Sequence, residues 1–224
     1  MGRESAIQAG CNPNKVVDFP YVVDAERLEQ SNPDSIPKTC LRDVASKKMV
    51  VLFSGRHIHR KGLPTLLEAA EKLQPVNGWV LWIEGDGPLR TQYQELASRL
   101  GISEQCRFLG FCQMDLHGWL VAHAHIVVVP SLHDPWGIVV DEGMQLGKAV
   151  CASRSTGSAL DRISDGENGF LFTAADSQQL RELLQNLISN RKLVNSIGFR
   201  ARLTAQQWSP RRNAEELAHV LSLH

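Results

Sequence analysis

Two carboxylates and a cluster of cations are the groups in this chain best suited to chemistry. Asp134 and Glu142 stand eight positions apart in PSLHDPWGIVVDEGM, residues Pro130 to Met144. Upstream, GRHIHRKG (Gly55 to Gly62) sets Arg56, His57, His59, Arg60 and Lys61 within six positions. Glycines at both ends let that backbone turn sharply and approach a ligand. Arg supplies a planar fork and Lys a point charge, a pairing that suits a diphosphate. A solvated basic loop accounts for the same letters. His57 and His59 do not read as metal ligands, because no third ligand stands near them.

The carboxylates carry competing readings too. Asp134-Pro135 before a helix reads as an N-cap followed by a proline in the first turn. Glu142 falls among Ile138, Val139, Val140 and Met144, and burying an unpartnered carboxylate is strongly unfavourable. It therefore needs a polar partner, either a buried Arg or the hydroxyls of a ribose or sugar.

These residues must be positioned by strands and helices in alternation. Apolar runs at Met49 to Phe53, Trp79 to Ile83, Arg107 to Leu109, Ile126 to Val129, Ala149 to Ser153 and Phe170 to Phe172 predict six strands. Helical spacing of Leu63, Leu66, Leu67, Ala70 and Leu73 predicts the first crossover helix. Further helices are expected over Leu89 to Leu100, from a cap at Asp115 through Val121, around Glu142, near Asp161, and as three closing segments from Ser177 to Leu221. The pattern is that of parallel βαβ units, an α/β doubly wound sheet covered on both faces. Pro130 would then follow the carboxyl end of the fourth strand, where ligands bind in such sheets. Residues 1–45, polar and holding Pro13, Pro20, Pro33 and Pro37, read as linker or edge, with one strand-like piece from Lys15 to Val23.

Composition bounds the partners. With 43% hydrophobic and 21% charged residues in 224, one well-filled globular core is expected. Lys plus Arg and Asp plus Glu number 24 each, so nothing in the overall balance attracts nucleic acid or an anionic membrane. Five cysteines without a CxxC pair read as reduced, cytosolic thiols. No apolar run has membrane length, and peripheral contact with a membrane is left open. Neither GxGxxG after the first strand nor GxxxxGK[ST] occurs, which argues against a nicotinamide dinucleotide or P-loop site. IEGDGP reads as a strand-to-helix turn, and the small residues Ser153, Ser155, Thr156, Gly157 and Ser158 as a loop first and a phosphate cradle second. Trp136 and Phe111 are either core or stacking platforms beside the cleft.

Taken in order, FSGRHIHRKG, IEGDGPLR, RFLGF, PSLHDPWGIVVDEG, DGENGFLF and a terminal Trp-Ser-Pro between helices resemble the C-terminal domain of family 4 retaining glycosyltransferases. The resemblance covers about Val16 to Leu223. It implies one half of a GT-B architecture: residues 1–45 as interdomain linker, and 46–224 as a Rossmann-like domain of about six strands that binds a nucleotide-diphosphate sugar. The acceptor-binding domain of the family would precede residue 1, so a fragment without transfer activity of its own is expected.

The resemblance also implies roles. Arg56 and Lys61 would hold the donor's diphosphate. Backbone at Gly137, Ile138 and Val139 would meet phosphate or sugar at a helix N-terminus, with Trp136 alongside. Glu142 would take ribose hydroxyls, backbone at Phe111 and Cys112 would line the base pocket, and Asp134 would be the catalytic acid position. No metal and no cofactor beyond the nucleotide sugar are implied. The chain departs from the family pattern in Asp134 for the usual Glu, Gly143 for the common Ala, and STGSALD for the usual Gly-Gly before the acid. The first departure keeps a second reading alive, a non-catalytic nucleotide-sugar-binding or interaction module.

Overall fold

The structure, a computed structural model, describes residues 2–13, 16, 21–30, 32–73 and 78–222. Six strands, β1 (Met49–Ser54), β2 (Trp79–Glu84), β3 (Cys106–Gly110), β4 (Ile126–Val129), β5 (Ala149–Ser153) and β6 (Phe170–Phe172), form one sheet. Its order is β3-β2-β1-β4-β5-β6 and every pairing is parallel. This is the doubly wound order in which the chain reverses direction across the sheet between β1 and β4.

Alternation along the strands builds two cores. Met49, Val51 and Phe53 of β1 face one layer, where α4 (Leu63–Glu71), α5 (Arg90–Arg99) and α9 (Ser177–Ser189) pack. Val50 and Leu52 face the other, beneath α6 (Met114–His123), α7 (Ile138–Gln145) and α10 (Arg191–Ala205). A fully buried Leu or Phe contributes roughly 1.5–3 kcal/mol, and Leu52, Phe53, Leu63, Leu66 and Leu67 are all fully buried. The chain closes with α11 (Pro210–Ser222).

Residues before β1 contribute more than an edge. After α1 (Gly2–Gln8), α2 (Ala25–Glu29) packs on α6, and Val23, Leu28 and Cys40 enter the second core. In α3 (Lys38–Ala45), Asp43 is buried and accepts hydrogen bonds from Trp82 Nε1 at 3.2 Å, Lys48 Nζ at 3.2 Å and Arg107 Nη2 at 3.3 Å. A buried carboxylate satisfied by three donors ties this segment to β2 and β3. The expectation of linker without core is corrected to that extent. The strand-like piece from Lys15 to Val23 lies largely outside the described residues, and Tyr21 to Val23 form no strand.

Other differences are local. Asp115 does not cap α6; Gln113 holds that position and Asp115 lies in the first turn, where its charge favours the helix dipole. All five cysteines are free, and Cys40, Cys106, Cys112 and Cys151 are buried, where a thiol serves as small apolar filler.

One contact fixes how the loops after β1 and β4 meet. Gly62 caps α4 at φ 68°, and a Cβ there would overlap the carbonyl oxygen of Pro130. Leu132 N donates to Arg60 O at 2.8 Å beside it. Gly62→Ala would combine a left-handed strain of about 1–2 kcal/mol with a backbone clash. We expect a loss of about 3 kcal/mol or more, read from the urea midpoint.

Candidate functional site

At the reversal between β1 and β4 the two loops diverge and leave a cleft of about 270 Å³. Its walls are Phe53 to Arg56, Arg60 and Lys61 on one side, and Val129 to Ser131, Asp134 and Gly137 to Val139 on the other. The basic loop and the acid-bearing loop, distant in sequence, therefore share one site.

Asp134 lies in that cleft and does not cap α7. The helix begins at Ile138 behind Gly137, whose φ of 86° places it in the left-handed region, and no side chain caps its first turn. The capping reading is thereby corrected. The Asp134 side chain instead meets Lys61 Nζ at 2.5 Å, Arg60 Nη1 at 3.8 Å and the Ser131 hydroxyl at 3.5 Å. It is nearly buried, whereas Arg56 is exposed at the mouth. First-turn amides of α7 with no side-chain cap among the described residues, beside Lys61, Arg56 and Arg60, supply the groups that suit an anion at a helix terminus.

The loop after β5 acts as a brace. Asp134 N donates to Ser155 O at 2.9 Å, Gly157 N to Asp134 O at 3.0 Å, and Ser158 N to Trp136 O at 2.8 Å. The Ser158 hydroxyl, in the first turn of α8 (Gly157–Arg162), reaches the carbonyls of Trp136 and Gly137. STGS thus holds the backbone of the acid-bearing loop; Ser155 and Thr156 form the turn expected there, whereas Gly157 and Ser158 already belong to α8. Gly143 has a packing reason: a Cβ there would come 2.9 Å from Val150 Cγ2 and 3.3 Å from Val127 Cγ2.

Two expected members are turned elsewhere. The His57 ring leaves the cationic loop for the first core, among Phe53, Tyr93 and Phe108, and is fully buried. Burial holds its pKa below the ordinary value, with Asp86 opposing and Arg90 assisting, so it adds no positive charge to the cleft. Trp136 does not line the cleft. Its Nε1 donates to Asp141 at 2.8 Å, and the Arg162 guanidinium lies between it and Trp208, 5.2 Å and 3.8 Å from the ring centroids. Cation–π contacts and the 3.1 Å Arg162–Asp141 pair make this a structural clasp that also engages Tyr21.

Glu142 is buried one turn beyond Val139, and its partner is neither an Arg nor solvent. Oε2 lies 3.1 Å from His117 Nε2, and His117 Nδ1 faces both oxygens of Glu84 at 2.8 Å and 3.0 Å. The Glu142 contact is an ion pair out of line with the N–H, so Oε2 lacks an aligned donor among the described residues. Sequence reasoning missed this chain. The available signals were a carboxylate closing the apolar strand WVLWIE and a histidine in the apolar helix LHGWLV. Phe111, 73% exposed, and buried Cys112 follow β3 on the same carboxyl edge of the sheet, outside the cleft itself. Among the described residues no His, Cys, Asp and Glu grouping suits a metal ion.

The sequence profile of the family described as "Glycosyl transferases group 1" matches residues 42–204. The chain belongs to that family, as the C-terminal domain of a GT-B type glycosyltransferase with a Rossmann-like sheet. It is 33% identical over 162 residues to the lipopolysaccharide core biosynthesis glycosyltransferase LpsE of Rhizobium meliloti (strain 1021), covering 72% of this chain and 46% of that protein. It is 33% identical over 165 residues to the putative glycosyltransferase EpsD of Bacillus subtilis (strain 168), covering 73% and 42%. The chain thus spans less than half the length of these relatives. Among solved structures, Anabaena Alr3699/HepE in complex with UDP superposes with a TM-score of 0.84 at 25% identity, covering 99% of this chain and 61% of that one. No helix among the described residues is long and apolar enough to cross a membrane.

The buried charge chain gives the domain a pH signature. Burial opposes charge on His117, but hydrogen bonding and attraction from Glu142 and Glu84 outweigh it and raise its pKa from 6.5 to about 10. A folded pKa above the unfolded one means the folded state binds the extra proton. This stabilisation is complete below pH 6.5 and is lost as pH rises toward about 10. His117→Gln is expected to flatten the decline of the urea midpoint over that range relative to wild type.

Proposed function

We propose that this chain binds the nucleotide-diphosphate sugar in a metal-independent glycosyltransferase that transfers a hexose with retention to a saccharide or lipid-linked acceptor. The observation that carries this reading is the convergence of Arg56, Arg60, Lys61, the start of α7 and Asp134 in one cleft at the sheet's reversal point. UDP bound to Alr3699/HepE, a structure of the same fold, supports a nucleoside diphosphate as the ligand class. The acceptor side would come from an N-terminal domain, and this chain alone would bind donor without turning it over. Site and substrate together fit the cytoplasm, with peripheral membrane contact where the acceptor is lipid-linked.

The division of charge explains the residue types. As the bond from sugar to phosphate breaks, positive charge grows on the sugar and negative charge on the leaving diphosphate. Lys61, Arg56 and the α7 amides stabilise the diphosphate, and a carboxylate at Asp134 stabilises the sugar. The leaving phosphate then accepts the acceptor's proton on the face it vacates, which retains configuration. Lys61 has a particular place here because its ammonium lies 2.5 Å from Asp134. A diphosphate that draws it away uncovers the carboxylate next to the reacting carbon.

UDP at about 100 times its dissociation constant should add about 2.7 kcal/mol of stability. Lys61→Ala and Arg56→Ala should each weaken binding by roughly tenfold or more, since each removes a charge-assisted contact. Asp134→Asn releases Lys61, so UDP should bind several-fold tighter while transfer by the two-domain enzyme is lost. No thermal shift with UDP, GDP or ADP would count against nucleotide binding. Unchanged turnover in Asp134→Asn would remove that residue from the mechanism, and tight binding without transfer by wild-type two-domain protein would favour the non-catalytic module.

A further inference from the structure

Three buried titratable side chains from three elements meet behind the cleft: Glu84 at the end of β2, His117 in α6 and Glu142 in α7. They are 5%, 9% and 8% exposed. A neutral imidazole has one N–H and one lone pair. Here Nδ1 faces the Glu84 carboxylate at 2.8 Å and Nε2 faces the Glu142 carboxylate at 3.1 Å. A lone pair aimed at either carboxylate would be repelled, so both nitrogens carry protons and the ring is an imidazolium.

The pairing does not saturate the group. Two carboxylates against one imidazolium leave one negative charge, and no Lys or Arg among the described residues pairs with Glu84 or Glu142. The nearby Cys112 thiol adds no charge, because burial, with Glu84 and Cys40 assisting, pushes its pKa up to about 12. Glu142 Oε2 has no aligned donor among the described residues. An arginine would occupy both carboxylate oxygens with its fork. A single imidazolium restrains the carboxylate by charge and leaves its lone pairs for other donors. Glu142 is not itself a wall of the cleft but lies one helical turn past Ile138 and Val139, which are, so a ligand with its diphosphate there would extend its next group toward Glu142. In a nucleoside diphosphate that group is the ribose, a donor of hydroxyl hydrogens.

We propose that His117, anchored by Glu84, is a positioning residue that holds the Glu142 carboxylate in place to accept the ribose hydroxyls of the nucleotide. This rests on the reading of the cleft as a nucleotide-sugar site and adds two residues to it. Glu84 fixes the ring from the sheet side, His117 fixes Glu142, and Glu142 alone touches the ligand.

The test is a cycle between the protein and the ribose. The affinities of UDP, GDP and ADP are compared with those of their 2′-deoxy counterparts by calorimetry on the 224-residue chain. Wild type is expected to favour the ribonucleotide by about tenfold, the scale of one hydrogen bond to a charged group. Glu142→Gln and His117→Gln should both bring that ratio close to one, His117→Gln chiefly by weakening the ribonucleotide. Equal weakening of both ligands by His117→Gln, or an unchanged ratio, would overturn the positioning role. A ratio lost in Glu142→Gln but kept in His117→Gln sinks the role of His117 alone. A ratio untouched by Glu142→Gln, or absent in wild type, removes the ribose contact and this inference with it, whereas failure of every nucleotide to bind removes the nucleotide site as a whole.

Should His117→Gln fail to fold, nitrogen-15 spectra of the wild-type ring decide the matter. Both ring nitrogens should be protonated at neutral pH, and Nε2 should respond to UDP and not to 2′-deoxy-UDP. A ring with one proton, or equal responses to the two ligands, would overturn the proposal.

Discussion

The site exists because two backbones touch. Residue 62 lies so close to the Pro130 carbonyl that no side chain fits between them, and its left-handed conformation turns the chain from the basic loop into α4. That approach brings the end of the β1 loop against the end of β4, and Lys61 to Asp134 as its direct result. A second close approach, Gly137 against Thr156, lets the loop after β5 brace the acid from the other side. Neither contact is itself chemical. Each removes a degree of freedom from a charged side chain before any ligand arrives, which is how preorganised electrostatics are built.

Around that point the domain separates charges by depth. Arg56 stands exposed at the mouth, Lys61 and Asp134 pair within, and the Glu84–His117–Glu142 chain is buried where β2, α6 and α7 meet. The buried carboxylates each keep a cationic partner, as the cost of desolvating an unpaired ion requires, although Glu84 and Glu142 share a single imidazolium. Trp136, Asp141, Arg162 and Trp208 form a separate clasp, which joins the acid-bearing loop to the turn after α10 and to Tyr21 ahead of α2. The Trp-Ser-Pro near the C-terminus acquires its role there, through an indole stacked on a guanidinium.

Legibility followed the range of the interaction. Strand and helix positions were readable because apolar periodicity is local, and the six strands and the closing helices fall within a few residues of expectation. Caps and ring directions were less so. Asp134-Pro135 and Asp115 both carry the letters of an N-cap, yet Gly137 and Gln113 hold those positions. His57 looked like part of a cationic loop and is core, because a single φ/ψ choice decides which side of a loop faces the sheet. Leu28 and Cys40 sit in a polar, proline-rich stretch that gave little sign of core.

By itself the sequence determined the layered parallel sheet, the two loops that carry the cations and the acids, and the requirement that Glu142 have a polar partner. Those follow from periodicity, turn chemistry and the cost of burying charge, which act over a few residues. Only the tertiary structure decided that Lys61 faces Asp134, that His117 and not an arginine meets Glu142, and that Glu84 lies behind it. Such pairings join residues 25 to 73 positions apart. They are set by the order of strands in the sheet and by which helix face the sheet buries, a geometry that no local pattern of residues encodes.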